Sequence, residues 1–453
     1  MKNIEGSHLN KNNKVKKNLS PFRTIIFGFI GVIILGGLLL MLPISSADGK
    51  VTPFPDTLFT STSAVCVTGL VVKDTASHWS YFGQGIILLL IQIGGLGVVT
   101  VAATLSLIAG RRISLVQRNT MQEAMSAPTL GGLVKLTQFV LKITLTIELL
   151  GAAIMLPVFY KDFGLKGIWM AIFHSVSAFC NAGFDVMGTK KAPFVSLTSY
   201  GGNIIIAPTI MLLIVIGGIG FLTVDDILTH KRHFIKYRLQ SKIIILTTAL
   251  LIIIPAIYFF FGEYGNEPIK DRILYSFFQS ITPRTAGFNT TDLSVMSGTG
   301  QLLIILLMLI GGSPGSTAGG MKTTTIAVLF ANAKSVIYKK EDTTFFNRRL
   351  EKKVISDAST IFILYASLFI TTGVVINKIE GIPLHLCLFE TASACGTAGL
   401  TLGITTSLGL ISKILLIFVM FFGRVGGLTL IYAALSRTQI SYSKLPEEKV
   451  TVG

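Results

Sequence analysis

The chain has 453 residues, of which 51% are hydrophobic and only 13% charged, with a formal net charge of +17 at pH 7. Soluble globular chains carry about 25% charged residues, so this composition excludes an ordinary soluble domain and points to an integral membrane protein. The basic excess does not call for nucleic acid, because Lys and Arg gathered on the cytoplasmic side of a membrane protein give the same sign.

Residues 1–20 form a polar tail rich in Lys and Asn (Lys2, Lys11, Lys14, Lys16, Lys17) that lacks the build of a signal peptide. An apolar run at 22–43 follows, then "FTSTSAVCVTGL" at 59–70, then a second apolar run at 82–108 containing "IGGLG". A basic linker with Arg111, Arg112 and Arg118 closes this first unit. The plan then repeats. Apolar runs at 134–160 and 202–228 flank "FHSVSAFCNAGF" at 173–184, and the second run carries "IGGIG". The basic stretch "THKRHFIKYRLQSK" at 229–242 separates this unit from the next. Runs at 242–262 and 300–330 flank "FFQSITPRTAGF" at 277–288, and after the basic segment 334–353, runs at 355–377 and 412–435 flank "FETASACGTAGL" at 389–400. A tail ending in "SKLPEEKVTVG" follows.

The motif glycines Gly69, Gly183, Gly287 and Gly399 recur about every 110 residues, a period that marks tandem structural units. The boundaries read as 1–20 for a cytoplasmic tail, 21–118, 119–235, 236–345 and 346–437 for repeats one to four, and 438–453 for a second cytoplasmic tail. Runs of roughly 20 apolar residues span a bilayer as helices, because lipid leaves no other way to satisfy the backbone. Each unit therefore predicts two crossings with a re-entrant helix and loop between them. The expected fold is an all-α membrane protein of four helix–pore loop–helix repeats, eight transmembrane helices in all, around a pseudo-fourfold pore. With two crossings per repeat, both termini and every basic segment fall on one side and the four glycine motifs on the other.

Non-helical backbone at membrane depth must be buried in protein or line water. Four equivalent loops around an axis can offer a ring of carbonyls that replaces the hydration shell of a monovalent cation. Glycine reaches the backbone angles that such a ring needs, and the C-terminal end of each preceding helix favours a cation. For the "IGG" clusters, close helix packing is the simpler explanation. Cys66, Cys180, Cys387 and Cys395 show no metal spacing and read as free packing thiols. His174, Cys66 and Cys180 make no nucleophile–base set.

"LIGGSPGSTAGGMKTTT" at 309–325 interrupts the second helix of repeat three with clustered glycines and Pro314, which no continuous helix tolerates. It falls one residue short of a phosphate-binding loop, but Met321 breaks that pattern and no strand precedes it. Arg424 lies deep in the last apolar run; it either snorkels to the interface or faces the pore near the interrupted helix as a barrier to cations. Glu390, Asp185 and Asp292 lie near the loops and would draw cations to the mouth; for the two aspartates, plain solvated carboxylates are an equal reading. Asp225 and Asp226 sit at a helix end and have no expected part in ion handling. Arg284 is expected to turn from the axis and pair with a carboxylate.

"VCVTGL", "FCNAGFD", "TPRTAGFNTTD" and "CGTAGLT" together resemble the Trk/Ktr/HKT superfamily of potassium transporters over essentially the whole chain, most closely its KtrB-type membrane subunits. The resemblance implies a potassium selectivity filter made by Val67, Thr68 and Gly69, by Asn181, Ala182 and Gly183, by Thr285, Ala286 and Gly287, and by Thr397, Ala398 and Gly399. It also implies an intramembrane gate at Gly311, Gly312, Ser313, Pro314, Gly315, Ser316, Thr317, Ala318, Gly319, Gly320 and Lys322, opposed by Arg424. It further implies potassium as the transported ion with sodium as the alternative, no cofactor in this chain, a homodimer in the cell membrane, and a cytosolic KtrA-like ring of nucleotide-binding subunits as partner. Two other classes compete. An inverted-repeat secondary transporter would alternate the orientation of its repeats, whereas these four run one way. A membrane enzyme would cluster titratable groups inside its spans, where Glu148 stands nearly alone.

Overall fold

The computed structural model describes residues 20–110, 113–125, 131–434 and 448. Lys2, Lys11, Lys14, Lys16 and Lys17 of the first tail, Arg111 and Arg112 of the basic linker, and almost all of the second tail lie outside the described residues. Repeat one comprises α1 (Pro21–Met41), α2 (Phe54–Val65), the short α3 (Thr75–His78), α4 (Tyr81–Leu96) and α5 (Val98–Ile108), followed by a linking helix α6 (Leu115–Met125). Repeat two holds α7 (Leu133–Phe163), α8 (Lys166–Phe179), α9 (Ile206–Gly218) and α10 (Phe221–His230). Repeat three holds α11 (Leu239–Tyr258), α12 (Ile269–Ile281), α13 (Gly298–Leu309) and α14 (Thr323–Ile337). A two-stranded hairpin, β1 (Thr344–Phe345) and β2 (Arg348–Arg349), precedes α15 (Lys352–Glu380), α16 (Leu384–Gly396), α17 (Leu410–Val425) and α18 (Gly427–Ala434).

The first helix of every repeat is a long apolar rod, and Pro21–Met41, Leu133–Phe163, Leu239–Glu263 and Lys352–Glu380 are each long and apolar enough to cross a membrane. Their outward faces carry exposed Leu, Ile and Phe, such as Leu35, Leu149, Phe261 and Ile363, which suits lipid rather than water. Short helices α2, α8, α12 and α16 lie inside. Proline stands at the N-terminal cap of three of them, Pro53, Pro268 and Pro383, where its missing N–H costs no helical bond. Their motif phenylalanines anchor the core: Phe59, Phe173 and Phe389 are fully buried. In repeat three Phe277 is 41% exposed, and Phe278 takes the buried place.

In repeats one, two and four the second apolar run departs from the expected straight helix. α4 and α5 meet at 97°, α9 and α10 at 99°, and α17 and α18 at 94°. Each corner is a glycine in the left-handed half of backbone space, Gly97 at φ +86°, Gly220 at φ +94° and Gly426 at φ +91°, a conformation that side chains resist. In repeat three the 13 residues between α13 and α14 form an irregular segment instead. The eight apolar stretches are thus four rods, three bent pairs and one interrupted pair.

The other glycines of these clusters pack as expected. A Cβ on Gly94, Gly217 or Gly423 would collide with the carbonyl of Val65, Phe179 or Cys395, at the C-terminal ends of α2, α8 and α16. Replacing Gly94 with valine is expected to destabilise the folded protein by about 1–3 kcal/mol through overpacking, read as a lower unfolding temperature in detergent. All four thiols are free and buried.

Candidate functional site

The last turn of each short helix runs into a loop of one design. A non-glycine residue adopts positive φ first: Val67 at 56°, Asn181 at 58°, Thr285 at 76° and Thr397 at 51°. Two residues later a glycine does the same: Gly69 at 91°, Gly183 at 69°, Gly287 at 81° and Gly399 at 80°. Four equivalent departures from ordinary backbone geometry cost energy, and such strain concentrates at functional sites.

The loop N–H groups turn back onto their own helices. Thr68 donates to the Ser63 carbonyl, Ala182 to Ser177 and Ala398 to Ser393, each at 2.8 Å, while Ala286 donates to Thr282 at 3.0 Å. Side chains add to this clamp: Ser177 and Thr282 donate their hydroxyls to the Phe184 and Phe288 carbonyls at 2.7 Å. These bonds turn one N–H of every loop back into its own helix and leave main-chain carbonyl oxygens at the ring.

The four loops close into a ring in chain order. A Cβ on Gly69 would lie 2.6 Å from the Ala182 carbonyl oxygen, one on Gly183 2.6 Å from that of Ala286, one on Gly287 2.7 Å from that of Ala398, and one on Gly399 against that of Thr68. The glycine Cα atoms surround a common space, for a Cβ on Gly69 would also sit 3.2 Å from Gly183 Cα and 3.3 Å from Gly399 Cα. Every loop also holds one buried side-chain oxygen with no hydrogen-bond partner: Thr68 Oγ1, Asn181 Oδ1, Thr285 Oγ1 and Thr397 Oγ1.

On one side of the ring lies a cavity of about 130 Å³ lined by all four glycines, Asp74 and Asp185. Asp74 was not foreseen from the sequence. It is a buried helix cap that accepts from Ser77 and from the Phe194 N–H at 2.8 Å. Asp185 lines this mouth as expected. Asp292 does not; it caps a single turn through Ser294, whose hydroxyl and N–H hold its carboxyl below the usual carboxylate range. Glu390 is buried behind loop four, where it accepts from Thr401 at 2.8 Å and from Thr405.

On the other side, residues 311–322 pack directly under the ring. Gly311 N–H donates to the Met321 carbonyl at 2.8 Å and Thr323 N–H to Gly312 at 3.1 Å, which pinches the segment at its base. Ser313 and Thr317 donate N–H bonds to Gly218 and Gly217, Gly320 donates to Gly423, and Phe221 donates to Gly315. The backbone of Pro314 and Gly315 lies against the Gly220 corner, and Ser316 donates to the Ser313 carbonyl at 2.7 Å. Gly319 and Gly320 lie against Thr397 and Gly396 of loop four. Lys322 Nζ donates to the Ala318 and Gly319 carbonyls at 2.8 and 3.4 Å. Arg424 meets this segment as expected: its guanidinium donates to the Thr317 carbonyl and to the Gly94 and Gly95 carbonyls of repeat one. A second cavity of about 320 Å³, lined by Gly95, Lys322 and Arg424, opens below.

Two remaining expectations are resolved. Arg284 is buried beside loop three, but it donates to the Thr248 carbonyl at 3.4 Å and pairs with no carboxylate among the described residues. Asp226 is structural, taking the Arg238 N–H at 3.1 Å and the Ser241 hydroxyl at 2.6 Å to hold α10 to α11.

Comparison with known proteins agrees with this architecture. The chain is 40% identical to the potassium/sodium uptake protein NtpJ of Enterococcus hirae, over 97% of this chain and 99% of that protein. It is 36% identical to the Ktr system potassium uptake protein B of Bacillus subtilis, over 96% and 97% of the two chains. Its fold matches the crystal structure of the potassium transporter TrkH from Vibrio parahaemolyticus with a TM-score of 0.71 at 20% identity, covering 93% of this chain and 86% of that one. The profile of the TrkH family of cation transport proteins matches residues 8–442. The chain therefore belongs to the TrkH family, a family of membrane cation transporters and not of enzymes.

Proposed function

We propose that this chain takes up potassium across the cell membrane through the four-glycine ring, which acts as the selectivity filter, with the 311–322 segment and Arg424 as its gate. The observation that carries this reading is the ring itself: four loops in cyclic contact, each with a positive-φ residue, a positive-φ glycine and an N–H bonded back onto its own helix. A potassium ion must shed water to pass, and fixed carbonyl oxygens are the group that replaces water without binding too tightly to release it. Asp185 and Asp74 raise the local cation concentration at the mouth. Below the filter, the guanidinium and Lys322 place positive charge in the path, which opposes a cation while the segment is seated.

In this reading 21–118, 119–235, 236–345 and 346–437 are the four repeats. Both tails and the basic linkers face the cytoplasm, by the positive-inside rule, and the filter faces outside. The chain serves as the ion-translocating member of a two-component system, a homodimer seated on a cytosolic ring of nucleotide-binding subunits. That two relatives are named as proteins of a Ktr system supports a further component, without its type. Sodium permeation is a second reading, favoured by the relative named for potassium and sodium together.

The test uses the purified full chain in liposomes, with potassium and sodium influx measured separately. Faster potassium influx than sodium influx is the expected result. Equal fluxes of the two ions, or no cation flux with and without a nucleotide-binding ring partner, would overturn the proposal.

A further inference from the structure

The gate segment is bonded to the filter, and through one side chain in particular. Thr317 is fully buried. Its hydroxyl oxygen accepts from Asn181 Nδ2 at 2.9 Å, and Asn181 is the positive-φ residue that opens filter loop two. The same hydroxyl lies 3.0 Å from the Phe179 carbonyl, at the C-terminal end of α8, and 3.0 Å from the Gly217 carbonyl, so it shares its proton between them. The Thr317 main chain is held as well, its N–H by Gly217 and its carbonyl by Arg424. One residue of the gate thus touches the filter, the negative end of a pore helix, a helix of repeat two and Arg424.

The other three loops lack this link. Thr285 and Thr397 occupy the positions equivalent to Asn181, and their hydroxyls have no hydrogen-bond partner; Val67 has no polar atom there. Among the described residues, loop two alone is tied to the gate by a side-chain hydrogen bond.

We infer that the Asn181–Thr317 hydrogen bond joins filter and gate into one switch, which makes Thr317 a positioning residue for ion discrimination as well as a latch for the gate. This rests on the proposed function. Asn181 is fully buried and holds a strained backbone conformation, and such strain persists only while its surroundings over-determine it. When the segment leaves, the Asn181 amide loses its acceptor and loop two loses a constraint. The filter is then tightest while the gate is shut and looser while it is open.

The test compares potassium and sodium influx in liposomes for the full-length wild type, Thr317→Val, Thr317→Ser, Asn181→Ala and the Asn181→Ala/Thr317→Val double variant. Valine keeps the volume and removes the hydroxyl, so potassium influx should rise and the potassium-to-sodium ratio should fall, each by roughly tenfold, the effect of breaking a buried hydrogen bond. Serine keeps the hydroxyl and should restore the wild-type ratio. In the Asn181→Ala background the bond is already gone, so adding Thr317→Val should shift the ratio further by less than about twofold, the signature of coupled residues. Thr317→Ala replaces the valine variant if the latter does not fold. A Thr317→Val protein with raised influx and an unchanged ratio would overturn the inference and leave the gate intact. An undiminished shift in the Asn181→Ala background would overturn it too. A wild type that fails to prefer potassium would instead sink the proposed function itself.

Discussion

Replacing Gly69 with serine should cut the preference for potassium over sodium by roughly tenfold to a hundredfold. The new Cβ would lie 2.6 Å from the Ala182 carbonyl oxygen, closer than real Cβ contacts run, and on a backbone at φ +91°. Strain of this kind costs about 1–3 kcal/mol per residue, and each 1.4 kcal/mol or so is a factor of ten in an equilibrium. The ring relieves that strain by moving loop two outward, and the cage stops matching one ion size. The measurement is the ratio of potassium to sodium influx in liposomes. Gly49 provides the control, because it too has positive φ, at +67°, but nothing lies within 4 Å of its Cβ position. Gly49→Ser should leave the ratio unchanged. If Gly69→Ser also leaves it unchanged, the four-loop ring is not the selectivity element.

Replacing Arg424 with alanine should raise cation influx about tenfold or more. The guanidinium is half-buried, lines the lower cavity and meets no carboxylate among the described residues; it is held by main-chain carbonyls of the 311–322 segment and of repeat one. A positive charge without a counter-ion at the wall of a cavity raises the energy of a cation passing nearby. On the proposed function, removing it would delete both the barrier and the bridge that holds Thr317 against Gly94 and Gly95. Lysine should give an intermediate flux, since a single ammonium cannot span both sets of carbonyls as the planar fork does. Tracer influx into liposomes measures the change. Unchanged or lower influx in a well-folded alanine variant would remove Arg424 from the gate.

Several features of this site were plain in the one-dimensional pattern. Loops of similar wording recur, and each glycine sits where a helix has ended, so a backbone role was readable without coordinates. The interruption at 311–320 was equally readable, because clustered glycines around Pro314 cannot continue a helix. Arg424 stood out as a charge deep in an apolar run. Other features left no trace. The corners at Gly97, Gly220 and Gly426 were hidden because hydropathy runs unbroken through them. Asp74 has no motif around it, and its capping role appears only once Phe194 is folded beside it. For Arg284 the sequence points to a carboxylate, but a main-chain carbonyl serves, and carbonyls carry no sequence signature.

The amino-acid order by itself determined the membrane class, the fourfold repetition, the placement of a glycine in every loop and the break in the third repeat. These follow from transfer free energies and backbone propensities, which belong to single residues and their near neighbours. Only the tertiary structure decided that Gly69, Gly183, Gly287 and Gly399 close in cyclic order, that three second helices turn by more than 90°, and that Thr317 reaches Asn181. Those outcomes depend on contacts between segments more than 100 residues apart in several cases. Hydrophobicity has magnitude but no direction, so it cannot encode which carbonyl a glycine will face.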